Sequence, residues 1–239
     1  MFPLKDDVPT RTVPVVTVGL IVLNVLAFLY QFSLEAGGPP GGSRAARDFI
    51  FEFGLIPCRL TGGCVAPPDL PSPVLTIFTS MFLHGGLFHI LGNMLYLWIF
   101  GNNVEDTLGH GRFVAFYLLC GVAAALAQTA TGPGSTIPMV GASGAVSGVL
   151  GAYLLLFPHA NVFTLIIIGF FIRIVRIPAL IVLGMWIVVQ FVNGLVTFSA
   201  AVRGGVSEGG VAWFAHIGGF LAGLVLLFVL RPRADARAR

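Results

Sequence analysis

Five polar side chains stand in or beside apolar runs and could do chemistry together: His84, His89, Asn93, Ser143 and His216. A serine hydroxyl is a weak nucleophile until a neighbouring base takes its proton. Histidine is the usual base near neutral pH. The oxyanion formed by attack on a carbonyl then needs hydrogen-bond donors. Ser143, in the string Gly141-Ala142-Ser143-Gly144, supplies the hydroxyl, and His216, in FAHIGG, supplies the imidazole. His89 and Asn93 are four residues apart and share one helix face, from which both can donate. Amides in the first turn of a helix lack helical partners and would add backbone donors beside Ser143. Gly141 and Gly144 permit a sharp entry and close backbone approach there. The chemistry is acyl transfer, with Ser143 as nucleophile, His216 as base, and His89 and Asn93 as oxyanion donors. His84 has two readings, structural hydrogen bonding or support of water supply and the oxyanion. No acid lies within an apolar run to orient His216, so the pattern is a dyad. Taken singly, each residue has an ordinary explanation: a serine in a Gly/Ala stripe packs helices, and a lone histidine or asparagine bonds between them.

The elements that must position these groups are membrane helices. Of 239 residues, 56% are hydrophobic and only 10% charged, with a mean hydropathy of +0.94. A soluble domain carries about 25% charged residues. The composition excludes a soluble enzyme, a disordered chain and a nucleic-acid binder. The net charge of +3 is no polybasic field, because the basic residues cluster only at the C-terminal end. The expected fold class is an all-α polytopic membrane protein with six transmembrane helices, in a single domain covering 1–239.

The apolar runs give six spans: Val13–Phe32, Ile77–Gly101, Arg112–Gln128, Gly141–Phe157, Pro178–Ser199 and Val211–Leu230. Residues 34–75 are rich in Gly and Pro and form a long first loop. The segment Asn161–Ile177 is apolar but β-branched, and its uncharged part is too short to cross. It reads as an interfacial hairpin or loop. With six spans and both ends inside, nine basic residues are cytoplasmic (Lys5, Arg11, Arg112, Arg173, Arg176 and four tail arginines) and four are external (Arg44, Arg47, Arg59, Arg203). That satisfies the positive-inside rule. The N-terminus 1–12 and the basic tail 231–239 are then cytoplasmic, and the loop 34–75 is external. Spans two, four and six run inward, so His89, Ser143 and His216 fall at one depth below the external surface. Gly144, Gly148 and Gly151 on span four, and Gly219 and Gly223 on span six, let those two helices approach closely.

At these residues the sequence resembles the rhomboid family of intramembrane serine proteases. The family's His followed by HxxxN is matched by His84 and His89–Asn93, its GxSG by Gly141–Gly144, and its AHxxGxxxG by Ala215-His216, Gly219 and Gly223. The Glu105–Gly109 spacing also resembles the family. The resemblance implies six helices around a water-filled cavity open to the outside. It implies cleavage of single-pass transmembrane substrates near the external face, with no metal or cofactor. Two departures stand out. Some relatives have a tyrosine four residues after the serine, under the histidine, where this chain has Ser147. The Trp-Arg pair of many relatives' first loops is absent, although Phe49, Ile50, Phe51 and Phe53 could dip into the interface.

The rival functions are weaker. A catalytically silent rhomboid-like binder of membrane proteins would lack the serine or the histidine, and both are present. A transporter would show internal repeats or midplane acids, and a metalloprotease would show HExxH; none of these occurs. Cys58 and Cys64 form a disulfide if their loop faces an oxidising space, and remain thiols otherwise. The partners expected are single-pass membrane substrates and the lipid bilayer, with no nucleic acid. The Gly-rich stretch 203–210 is expected to cap the cavity. The expected location is a bacterial inner membrane, since no further targeting segment precedes the first span and the loops are short.

Overall fold

The computed structural model describes residues 2–36, 43–65, 67–203 and 210–232. Most of the 203–210 stretch and of the tail 231–239 lies outside these. A short strand β1 (Phe2–Asp6) precedes the first long helix α1 (Val15–Ala36). The first loop folds into α2 (Arg44–Phe53) and α3 (Pro57–Leu60). Then come α4 (Pro73–Thr79), a 3₁₀ turn (Ser80–Phe82), α5 (Leu87–Tyr96), a π turn (Leu97–Gly101) and α6 (Asn102–Leu108). Helices α7 (His110–Thr131) and α8 (Ser143–Leu156) are followed by a hairpin, β2 (Asn161–Ile168) and β3 (Phe171–Pro178). Helices α9 (Ala179–Val202) and α10 (Trp213–Leu230) close the bundle.

Among the described residues four helices, α1, α7, α9 and α10, are long and apolar enough to cross a bilayer. The protein is therefore a polytopic helical membrane protein, but two expected spans differ from the simple picture. The second is broken: Pro73–Phe82 and Leu87–Leu108 meet at 83°. The break falls on His84-Gly85-Gly86, where Gly86 has φ +156°, a conformation that a side chain would strain. Gln31 of α1 fixes the break. Its amide accepts from the His84 backbone N–H (3.0 Å) and donates to the His84 carbonyl (3.2 Å). The fourth span is short. Helix α8 has 14 residues, about 21 Å at 1.5 Å per residue, against a hydrocarbon core of roughly 30 Å.

Carboxylates organise the N-terminal end. Glu105, fully buried, accepts from the Val16 and Thr17 amides (2.9 and 2.7 Å) and from the Thr17 hydroxyl (2.6 Å). An anion at a helix start satisfies orphan N–H groups and the helix dipole. Asp106 does the same for the segment before α1, accepting from the Arg11 and Thr12 amides at 3.0 Å each.

The core of the bundle is α7, α8 and α10, and glycines bring them together. A Cβ on Gly219 would lie 2.0 Å from the Gly144 carbonyl oxygen, and one on Gly223 would lie 2.0 Å from that of Gly148. Only glycine fits at such a crossing. Helix α9 sits at the edge, burying only five of its 24 residues, Gln190 among them.

Segment 161–177 is a β-hairpin, and β1 completes a three-stranded antiparallel sheet in the order β1-β2-β3. Cys58 and Cys64 are disulfide-bonded. Their loop is laced to the segment before α8 by a mutual backbone pair between Leu55 and Met139 (3.1 and 2.7 Å) and by Cys58 N–H to the Ser135 carbonyl (3.0 Å). Arg59 clamps the same loop through the carbonyls of Phe51 and Pro71.

Candidate active site

Ser143 is the first residue of α8, and His216 is the fourth of α10. The glycine crossing sets their separation: the Ser143 hydroxyl lies 2.8 Å from His216 Nε2. The other imidazole nitrogen, Nδ1, lies 2.8 Å from Oε1 of Gln190 on α9. The Gln190 amide nitrogen donates to the Trp186 carbonyl at 3.1 Å. This chain of bonds assigns the protons. A carbonyl cannot donate, so Gln190 must present its nitrogen to Trp186 and its oxygen to His216. Nδ1 therefore carries the imidazole proton, and Nε2 offers its lone pair to the Ser143 hydroxyl. That is the tautomer a general base needs.

Gln190 is the residue that sequence reasoning missed: the expectation was that no acid orients His216, and the partner found is not an acid. The orienting group is an amide, not an acid, and it comes from span five. The available signal was an amide in an apolar run, one turn after Trp186, with a second amide, Asn193, three residues on. The Trp186 ring packs against the imidazole at 5.7 Å between centroids, and Trp213 meets it edge-on at 6.4 Å. Ser147 does not reach the imidazole position. Its hydroxyl donates to the Ser143 carbonyl at 2.6 Å, back along its own helix.

His89 stands on the other side of the serine. Its Nδ1 accepts from the Gly85 amide at 3.3 Å, which places the proton on Nε2. A Cβ on Gly141 would meet His89 Nε2 at 2.8 Å and the Ser143 hydroxyl at 3.5 Å. Gly141, at φ +127°, is thus the surface on which the imidazole and the serine converge. Among the described residues the buried Asn93 amide nitrogen has no hydrogen-bond partner, and Asn93 lines the same cavity. His84 is buried and packs edge-on to His89 at 5.2 Å. Among the described residues neither ring nitrogen makes a hydrogen bond of full geometry, although the Phe82 backbone acts on the imidazole. His110 and His159 lie elsewhere; His110 Nδ1 is 2.6 Å from the Glu105 carboxylate.

These groups line one cavity of about 840 Å³, bounded by His89, Asn93, Ser143, Trp186 and His216, with Pro57 and Met139 from the laced loops. Among the described residues, no three His, Cys, Asp or Glu side chains converge as metal ligands. A hydroxyl bonded to an oriented imidazole, facing N–H donors across a cavity, has the geometry of nucleophilic acyl transfer.

A helical membrane bundle built around such a pair defines a narrow class. The model of the Rhomboid domain matches residues 71–233, and the chain belongs to the rhomboid family. It is 30% identical over 162 residues to RHOMBOID-like protein 1 of Arabidopsis thaliana, covering 67% of this chain and 36% of that protein. It is 41% identical over 78 residues to Rhomboid protease GluP of Bacillus subtilis, covering 33% of this chain and 15% of that one. It is 28% identical over 166 residues to Rhomboid protein 1, mitochondrial, of Saccharomyces cerevisiae, covering 66% of this chain and 42% of the relative. The chain thus spans less than half the length of each of these three relatives.

Proposed function

We propose that the protein is an intramembrane serine endopeptidase that cleaves single-pass transmembrane proteins near the external membrane face. The observation that carries this reading is the 2.8 Å contact of the Ser143 hydroxyl with an imidazole whose opposite nitrogen is held by Gln190. The name of the Bacillus subtilis relative, Rhomboid protease GluP, supports it.

The reaction runs through an acyl-enzyme. The Ser143 oxygen attacks the scissile carbonyl carbon as its proton passes to His216 Nε2. Gln190, accepting from Nδ1–H, stabilises the imidazolium so formed. The carbonyl π pair moves to oxygen, and the oxyanion is met by His89 Nε2–H, the Asn93 amide and backbone amides at the start of α8. Gly141 lets the His89 ring close on the serine, and Gly144 lets Ala124 of α7 pack against the start of α8. As the C–N bond breaks, His216 returns the proton to the departing amine. Cavity water then attacks the ester, with His216 again taking and returning the proton, and frees the acid product and Ser143. His84 supports the site by packing against His89. The substrate backbone must unwind first, because a helix in lipid keeps its carbonyls bonded. Its entry is beside α9, the least buried wall of the site. The chain functions as one domain over 1–239 in a bacterial inner membrane, with both termini cytoplasmic.

The test is cleavage of a single-pass reporter in liposomes by the wild type, Ser143→Ala and His216→Ala. A defined cut near one membrane face, lost in both variants, is the expected result. If the folded wild type leaves several reporters intact and Ser143 resists a fluorophosphonate, the chain is a rhomboid-like binder and not a protease.

A further inference from the structure

The hairpin between α8 and α9 is not explained by the site. Its loop is Gly169-Phe170, with Gly169 at φ +56° and no positive φ at any described non-glycine residue. That is the pattern of a tight type II′ connection. β1 pairs only with the root of β2, from Val162 to Leu165. The outer half of the hairpin lies beyond β1 and is apolar, and among the described residues it is exposed: Phe170 is fully exposed, and Ile167, Ile172 and Ile174 are 52%, 66% and 60% exposed. A water-facing hairpin would alternate polar and apolar residues. This one does not.

Cations flank the apolar tip. Ile174 and Arg176 lie two residues apart on one face of β3, and Lys5 pairs opposite Phe163 on the same side. Lys5 Nζ and the Arg176 guanidinium both stack on the Phe163 ring, at 4.8 and 5.1 Å. Arg173 is exposed on the opposite face. Among the described residues, none of these three cations has a carboxylate within 4.0 Å. The acids nearest the hairpin root are hydrogen-bonded to other groups, Asp6 to the Tyr153 hydroxyl and Asp7 to Asn161 at the start of β2, although Asp7 still feels the charge of Arg176.

We propose that the outer hairpin is a lipid-binding element that inserts its apolar tip into the bilayer interface and takes anionic phospholipid headgroups on Lys5, Arg173 and Arg176. Position supports the bilayer as the occupant. The hairpin root is bonded to the start of α9, with Ala179 N–H to the Ala160 carbonyl at 2.8 Å and Leu180 N–H to that of Pro158 at 3.0 Å. The exposed apolar surface continues from the hairpin into Leu180, Ile181 and Met185 of α9, a helix long and apolar enough to span. An apolar tip with basic residues behind it is the pattern of interfacial elements that prefer anionic lipid.

The test is a nitroxide at Phe170→Cys in the full chain. The native cysteines do not compete, because Cys58 and Cys64 are bonded to each other and Cys120 is buried. In liposomes of phosphatidylglycerol and phosphatidylcholine, relaxation should be oxygen-enhanced and shielded from a water-soluble nickel chelate. Arg173→Gln and Arg176→Gln should each reduce the preference for the phosphatidylglycerol-containing bilayer by about fivefold, the worth of one cation at an anionic surface. A label exposed to the chelate in every bilayer overturns the proposal. Equal insertion in pure phosphatidylcholine, unaffected by either arginine variant, overturns its headgroup part. Dipolar broadening between labels would assign the tip to a second copy of the chain and overturn it as well.

Discussion

Replacing Gly219 by alanine should disable the site without touching a reacting group. A Cβ at Gly219 would sit 2.0 Å from the Gly144 carbonyl oxygen. Real Cβ atoms essentially never come within 3.0 Å of such an atom, so the helices must part by at least the difference, 3.0 − 2.0 = 1.0 Å. The obstacle is backbone and cannot rotate away. Ser143 is the neighbour of Gly144, and His216 lies three residues before Gly219, so the separation is felt at the dyad. Added to the 2.8 Å contact, it gives about 3.8 Å, beyond hydrogen-bond range. A misplacement of about 1 Å costs on the order of 100-fold in rate. Gly184→Ala on α9 is the matched control, because nothing lies within 4 Å of its Cβ. It should keep full activity and gain slight helix stability. The assay is reporter cleavage in liposomes, with fluorophosphonate labelling of Ser143 and a thermal melt on the same samples. A folded Gly219→Ala protein that cuts and labels like the wild type would refute the reasoning, since the crossing would then not set the dyad distance.

Three other perturbations follow from particular contacts. Gln190→Met removes the acceptor for His216 Nδ1–H at similar volume and should lower kcat by roughly 10-fold or more, while Gln190→Glu, which still accepts, should recover much of it; nitrogen NMR of labelled histidine should show a mixed tautomer in the Met variant only. Asn93→Ala should cost about 10²–10³ in kcat with little change in KM, as removal of an oxyanion donor does, and an unchanged kcat would exclude it from that role. Burial pushes the Asp6 carboxyl above its usual range, outweighing the bond from Tyr153, whereas the bond from Asn161 holds Asp7 below it. The wild type should therefore gain stability relative to Asp6→Asn as pH falls from neutral through the raised Asp6 pKa, and lose its advantage over Asp7→Asn as pH falls through the lowered Asp7 pKa; melts in detergent across pH would show both.

What was legible in the sequence was whatever depends on local pattern. Apolar runs located the helices, and ionisable residues within them marked His89 and His216, because charge in a bilayer is costly and therefore seldom idle. The glycine stripes marked the α8–α10 crossing. Gln190 escaped because it carries no charge and shares its run with a second amide, Asn193; its importance comes from where α9 is placed, a tertiary fact. The broken second span was half visible in Gly85-Gly86, but its pinning by Gln31 joins residues 53 apart. The sheet was hidden for the same reason, since β1 pairs Phe2 with Leu165, and no local periodicity records such a partner.

The shortness of α8 connects the fold to the chemistry. A helix about 9 Å too short for the hydrocarbon core leaves one end below a membrane surface. In lipid, the unpaired first-turn amides at that end would each cost several kcal/mol. The Ser143 end is the one that opens on the 840 Å³ cavity, through Ser143, Val146, Ser147 and Leu150, so water or a ligand can satisfy those amides there. Towards the opposite end Ala152 and Tyr153 are packed in the core, and only the apolar Leu155 of the last turn is exposed. The same deficit that disqualifies α8 as a span therefore requires a polar chamber around its first residue. For the proposed protease, whose hydroxyl would meet both a peptide drawn from lipid and a hydrolytic water, that is a good position, since a full-length α8 would bring its first residue to the membrane surface.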